Sequence, residues 1–544
     1  MRNSVSPAAI IQKYTIPFIV LFTFIIWSPV LLVQFLNDDY QILGYHAGKS
    51  LINIFQPFWT PDISGVYWRP VGNLIHPLIM YIAGFDPIPF RIVSLLSYIL
   101  CCVVFYLASE RLGLSKKTAI WITLLFAALP SHEFQVAWIA DTGESLVTAS
   151  LLLSFIFYEN IYRTDKTPAR SALLAMLFFL IALLIKEVAF SGVLIPFFAL
   201  FLHGDFKKYN LKRAVRDYLI GLFILAAVLL YRYFVIGGTP FGSAHFEHSG
   251  PVKWISHFFI YLLLSVFPPE TIESVFYYTG SILMKALTVI LAGFVFYGFI
   301  KAVINMSPRL RKILSAGLIW FVIFVLPALP TLMRWYVFTA SAGIMWMLAA
   351  IIEYLNTIKS RVIFITVMLI LITGLSVYDF NLMLRWKDVS YHFSRAYTSL
   401  QILSPEKEMT IWGVPDKVNR IPMMKLGIAE TVQSAMEDSS VNIYAPLRME
   451  LTGFLSSMKL DSLSGSMMRF RLRGGRFLVE RGTSRAVIIT EQIEQEYDGY
   501  RFVINNSELE STALVYFDSL KGMQYFYDGN RVRKIAEFEQ AEGF

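Results

Sequence analysis

The chain has 544 residues, of which 56% are hydrophobic and 16% charged, with a mean hydropathy of +0.56. An ordinary soluble domain carries about 25% charged residues, so most of this chain is not soluble sequence. Its formal charge of +8 sits largely in short loops between apolar runs, which marks membrane orientation and not nucleic-acid binding. Cys101 and Cys102 are adjacent inside an apolar run, which excludes a disulfide framework or a metal knuckle.

Apolar runs of the length that crosses a bilayer as a helix predict about eleven spans. The stretch MRNSVSPAAIIQKY leads into the first, 14–36; its length and the lack of a cleavage site read as a retained signal anchor. A polar and aromatic segment follows to 89, with an amphipathic piece at 71–85. Further spans are predicted at 90–112, 118–130, 145–162, 171–185, 188–202, 218–236, 281–304, 313–329, 336–355 and 362–378. The basic loops 111–117, 162–170, 206–216, 308–312 and 358–361 fall between alternate spans, so all can face the cytoplasm together. To keep that alternation, the apolar segment 254–267 is placed along the outer face, ended by Pro268 and Pro269. The N-terminus is then cytoplasmic, and the chain after 379 lies outside a plasma or inner membrane.

Residues 1–378 thus form a transmembrane domain with a first outer loop at 37–89, and 379–544 an extracytoplasmic domain. In the latter, EMTIWGV, NIYAP, RFLVE, AVIITE, YRFVIN, ALVYF and QYFYD read as strands by alternation. Segments 386–403 and 423–436 read as helices. The predicted fold is a polytopic α-helical membrane protein with a C-terminal mixed α/β soluble domain. The chain carries no glycine-rich phosphate loop, no metal-ligand signature and no helix-pair repeat of about 34 residues.

On this topology the unusual charges collect on one membrane face. Asp38 and Asp39 end the first span, and Arg69 lies in the first outer loop. His132, Glu133, Asp141 and Glu144 lie between spans three and four, Lys186 and Glu187 at the turn between spans five and six, and Arg334 between spans nine and ten. Each has a plain alternative. The aspartates can be solvated helix-end acids, and the arginines snorkelling anchors among aromatics. Lys186–Glu187 can be a self-neutralising turn, His132 a structural histidine, and Glu133 and Asp141 solvated loop acids. Charge at membrane depth is costly and faces a cavity or a partner. A carboxylate base with fixed cations suits transfer of a group away from a phosphate: the base takes an acceptor's proton, and the cations stabilise charge on the leaving phosphate.

The order NDDY (37–40), YWRPVGN (67–73), HEFQVAWIADTGESL (132–146), KEVAF (186–190), YLLLSVFPP (261–269) and RWYVFTASAG (334–343) resembles the GT-C membrane glycosyltransferases. It is most similar to the TPR-bearing transmembrane O-mannosyltransferases and their bacterial relatives. The resemblance implies Asp38 as catalytic base, with Asp39 supporting it or binding the acceptor. It implies Glu144 as the second-loop acid and Arg69, Lys186 and Arg334 as donor-phosphate ligands. It implies a polyprenyl-phosphate sugar donor: undecaprenyl phosphate in a bacterium, dolichyl phosphate otherwise. The acceptor class is a glycolipid, a polysaccharide or a protein. The sequence names no cofactor, and the acidic pair is compatible with a divalent metal ion. The chain departs from the family in lacking helical repeats, which weighs against a protein among these acceptors, and in reading HEF where the family reads HTE, so no role for Glu133 is carried over. Two other classes compete: a transporter or flippase, and a non-catalytic membrane scaffold with a sensor domain. The first is disfavoured by the absence of paired interrupted halves.

Overall fold

The computed structural model describes residues 7–36, 39–46, 51–62, 67–163, 169–203, 208–237, 250–269, 300–301, 303–330, 332–358, 361–403, 407–418, 421–423, 428, 432, 440–451, 456–464, 466–481, 485–486, 492–497, 500–507, 510–517, 520, 523–528 and 531–535. The chain is a polytopic helical membrane protein with a strand-rich C-terminal part. Among the described residues, seven helices are long and apolar enough to cross a membrane: Tyr14–Leu32, Pro87–Arg111, Ile139–Arg163, Asn210–Ile236, Pro308–Ala328, Arg334–Leu355 and Ile365–Gln401. Three of the eleven expected spans are shorter than a crossing. Lys116–Ala127 has 12 residues and Ala169–Ile185 has 17. The run after Lys186 is a 3-10 stretch, Glu187–Leu194, that becomes α-helical only at Ile195–His203. The expected span 281–304 lies outside the described residues but for its last few.

Local chemistry sets several boundaries. Ser115 and Ser307 cap their helices by accepting the backbone N–H of Thr118 and Leu310. Pro308 occupies the first turn of the second, where its missing N–H costs nothing. Side-chain size sets the closest helix contact. A Cβ on Gly317 would lie 2.4 Å from the Gly343 carbonyl oxygen, and one on Gly343 would lie 2.3 Å from that of Gly317. Helices Pro308–Val325 and Val337–Ile358 therefore touch backbone to backbone. Lipid offers no hydrophobic drive between helices, so close van der Waals contact of this kind holds them together.

The chain divides into two compact units. One comprises Met1–Leu31, Lys49–Ala83 and Pro89–Met383; the other comprises Leu32–Gly48, Gly84–Ile88 and Leu384–Phe544. In the second unit, β1 (Glu408–Trp412) pairs in parallel with both strand Asn442–Tyr444 and strand Met523–Tyr527. A larger antiparallel sheet runs in the order Gln492–Tyr497, Tyr500–Asn505, Glu510–Phe517, Met467–Arg473 and Ser457–Ser464. At the core, the Trp412 indole donates to Gln524 Oε1 at 2.8 Å and packs edge-on against Tyr500. Gly413 turns the chain after β1 at φ +69°, and a Cβ there would strike the Met458 sulfur. Strand YRFVIN forms as expected. Strands Ser457–Ser464, Met467–Arg473 and Gln492–Tyr497 were not expected, because their outward positions carry Lys, Arg, Asp and Glu in place of β-formers. The expected strand AVIITE lies outside the described residues but for Ala486, and the expected helix 423–436 but for Met423, Ile428 and Val432. The expected helix 386–403 is the end of Arg361–Gln401.

Candidate active site

In the helical unit, the segment after helix Lys116–Ala127 is held by buried polar groups on its neighbours. His132 is fully buried between the Tyr98 hydroxyl at 2.9 Å and the Ser341 hydroxyl at 3.0 Å. The buried Arg91 guanidinium donates to the Ala137 carbonyl, and His76 Nε2 lies 3.0 Å from the Ile139 carbonyl. Ser94 and Thr142 share a hydroxyl hydrogen bond of 2.6 Å. With its backbone satisfied in this way, the segment presents Glu133, Gln135, Asp141 and Glu144 from fixed positions. His132 is thus structural. Glu133 and Asp141 are buried, 4% and 2% exposed, and are not solvated loop acids.

Lys186 and Glu187 are neighbours in the chain but do not neutralise one another. Lys186 has extended backbone, φ −161° and ψ 152°, which sends successive side chains to opposite sides. Lys186 Nζ reaches Asp141 Oδ1 and Glu144 Oε1, each at 2.7 Å, and lies 5.6 Å above the Tyr336 ring. Gln135 steadies Asp141 from its other oxygen at 2.8 Å. Glu187 instead bridges two guanidinium groups. Its Oε2 accepts Arg69 Nε at 2.8 Å, and its Oε1 pairs with Arg232 Nη1 at 2.6 Å. Arg69 also stacks on Tyr67, 4.2 Å from the ring centroid. Burial opposes the charge on Arg69, and Glu187 more than restores it, so the group is held more firmly ionised than usual. The Tyr67 hydroxyl is pushed up to about 12 by burial, with Tyr336 adding to the effect, and so remains a donor. The turn sits here because helices touch: a Cβ on Gly72 would lie 2.9 Å from the Ile185 carbonyl oxygen, and one on Gly143 3.3 Å from Ile185 Cγ2.

Arg334 opens the last segment of the group. Its corner is tied down by helix Pro251–Leu264: the Tyr261 hydroxyl accepts the Met333 N–H at 3.0 Å, and His257 Nδ1 lies 2.7 Å from the Leu329 carbonyl. Arg334 Nη1 is 3.8 Å from Glu133 Oε1, and Trp335 packs edge-on against Trp138 at 5.1 Å.

The structure therefore brings Arg69, Glu144, Lys186 and Arg334 into one helical unit, each cation paired with a carboxylate. Arg232, 3% exposed, is an added member that sequence reasoning missed. Its signal was present: an arginine four residues inside the end of an apolar span needs a partner. Asp39 belongs to the second unit. It is 1% exposed, opens helix Asp39–His46, and its Oδ2 accepts the Leu36 N–H at 3.0 Å. Asp38 lies outside the described residues. Among the described residues, no group of three or more His, Cys, Asp or Glu is placed to hold a metal ion.

No protein-family model matches the chain, and neither does any curated protein. Among solved structures it is similar to ArnT from Cupriavidus metallidurans bound to undecaprenyl phosphate, at 12% identity and TM-score 0.44, covering 82% of this chain and 96% of that one. The apo state of that protein matches at 13% identity and TM-score 0.41, covering 78% and 84%. The Archaeoglobus fulgidus oligosaccharyltransferase in complex with zinc and sulfate matches at 12% identity and TM-score 0.43, covering 80% and 67%. Superpositions this loose assign no residue a role, and the chemistry rests on the geometry of this chain.

Proposed function

We propose that the chain is an integral-membrane glycosyltransferase. It moves one monosaccharide from a polyprenyl-phosphate donor to an acceptor hydroxyl on the outer or periplasmic face of the membrane. The observation that carries this reading is the gathering of Arg69, Arg232, Lys186 and Arg334, with their carboxylate partners, from four segments beside membrane-length helices. Charges so held need little reorganisation when a phosphate develops negative charge. In the reaction, the acceptor oxygen bonds to the anomeric carbon while the bond from that carbon to the phosphate oxygen breaks. The phosphate keeps the electron pair, and Asp38 takes the acceptor's proton, with Asp39 orienting it. The product has inverted configuration. Glu144 holds Lys186 toward the phosphate. No specific observation favours the transporter or scaffold readings.

Replacing Arg69 or Arg334 by alanine tests the reading. Each is expected to weaken binding of a synthetic polyprenyl-phosphate sugar by about 10–100-fold, the worth of a charged hydrogen bond, in folded protein. Lysine at either position restores only part, because it lacks the planar fork. Parent-like donor binding in both alanine variants removes these residues from a phosphate site.

The orientation carries its own test. Cysteines at positions 207 and 359 are expected to be shielded from an impermeant thiol reagent, and one at 460 to react, in intact cells or in spheroplasts where an outer membrane blocks access. Protection at 460 overturns the placement of the C-terminal domain outside.

A further inference from the structure

The loop that carries the acid pair is built as part of the C-terminal unit. Leu32–Gly48 clusters with Leu384–Phe544, and the contacts within that unit are specific. The Gln34 N–H donates to the Ser390 hydroxyl at 3.0 Å. Tyr40, next to Asp39, stacks on Tyr397 at 4.9 Å with 29° between planes, and lies 5.1 Å from the Phe393 ring. Phe35 closes the other side edge-on at 5.9 Å. The receiving face is a helical stripe: Val389, Phe393, Ala396 and Leu400 are all fully buried. That same helix is fastened to the strands, since the Ser399 hydroxyl accepts the Val532 N–H at 2.9 Å. Sheet, helix, ring stack and the start of helix Asp39–His46 thus form one mechanical series.

We propose that Tyr397 and Phe393 are positioning residues that fix the acid pair through Tyr40, so that the C-terminal domain sets where the catalytic base stands. Stacked rings suit this task, because they restrain a loop in distance and tilt at modest entropic cost. A base must be held to within a fraction of an ångström of the proton it takes, and a misplacement of about 1 Å can cost about 10²-fold. The inference rests on the reading of the pair as the base, and its test separates the two.

Tyr397→Ala is expected to lower release of sugar from a synthetic polyprenyl-phosphate donor by about 10²-fold, with donor affinity and thermal unfolding near those of the parent. Tyr397→Phe keeps the ring and recovers most of the turnover. The deciding readout is a double-mutant cycle. In the background of whichever aspartate variant, Asp38→Asn or Asp39→Asn, is impaired, Tyr397→Ala adds little further loss if it acts through the acid. A role confined to stability would add its full loss again. If Tyr397→Ala cannot be recovered folded, Tyr397→Leu carries the same cycle. Parent-like turnover in Tyr397→Ala, beside an impaired aspartate variant, overturns the positioning role and leaves the base in place. Parent-like turnover in both aspartate variants overturns the base reading and this inference with it.

Discussion

Replacing Asp38 by asparagine is expected to lower turnover by about 10²–10⁴-fold, the usual contribution of a general base. Asparagine keeps the shape of the side chain but cannot accept a proton. On the proposed roles, in which the base serves the acceptor and the cations serve the donor, donor affinity should hardly change. Asp39→Asn is expected to be milder. Its carboxylate already accepts the Leu36 N–H, and an amide oxygen can do the same. The assay is sugar release from a synthetic polyprenyl-phosphate donor by purified protein, with donor binding measured separately. If both variants turn over like the parent, the catalytic reading of this loop fails and a scaffold or transporter moves ahead.

The second large effect concerns stability. Lys186 is 7% exposed and is the shared counter-ion of Asp141 and Glu144, themselves 2% and 1% exposed. Lys186→Met keeps the length and removes the charge, which leaves two buried carboxylates facing one another. Breaking a buried pair from one side costs about 3–5 kcal/mol. A fall of that size should appear in thermal unfolding of the detergent-solubilised protein. Adding Asp141→Asn and Glu144→Gln to Lys186→Met should recover much of the loss, because no uncompensated charge then remains. A single variant as stable as the parent would mean that water or a lipid headgroup already shields the two acids.

The helices were legible because apolar length is a property of sequence alone, and so was the existence of an odd set of charges near their ends. Their pairing was not. Lys186 and Glu187 look self-neutralising on paper, and one extended residue sends them to separate partners. Glu133 and Asp141 look like loop acids, and only the packing of His76, Arg91 and His132 against the same segment shows that they are buried. Arg232 drew no reading from the sequence, and Glu187 beside it is what makes it a member of the group. In the C-terminal part, strand Tyr500–Asn505 alternated cleanly and was legible, whereas MMRFRLR hid its alternation behind arginines that face outward on the sheet. Membership of Leu32–Gly48 in the C-terminal unit has no local signal, because it depends on a stack between Tyr40 and a ring more than 350 positions away.

The crossing of Gly317 and Gly343 acts as a fulcrum. From Gly317 to the end of its helix at Val325 is eight residues, or about 12 Å of rigid arm at 1.5 Å per residue, and the corner carrying Arg334 lies beyond that end. A methyl group inserted at either glycine would meet carbonyl oxygen at 2.4 Å or less, so the arms would have to splay, and the splay would grow with distance along them. A change one carbon in size, deep between two apolar helices, would therefore be felt as a displacement at the guanidinium. Two residues without side chains thus set the gauge of a charged site that they do not touch.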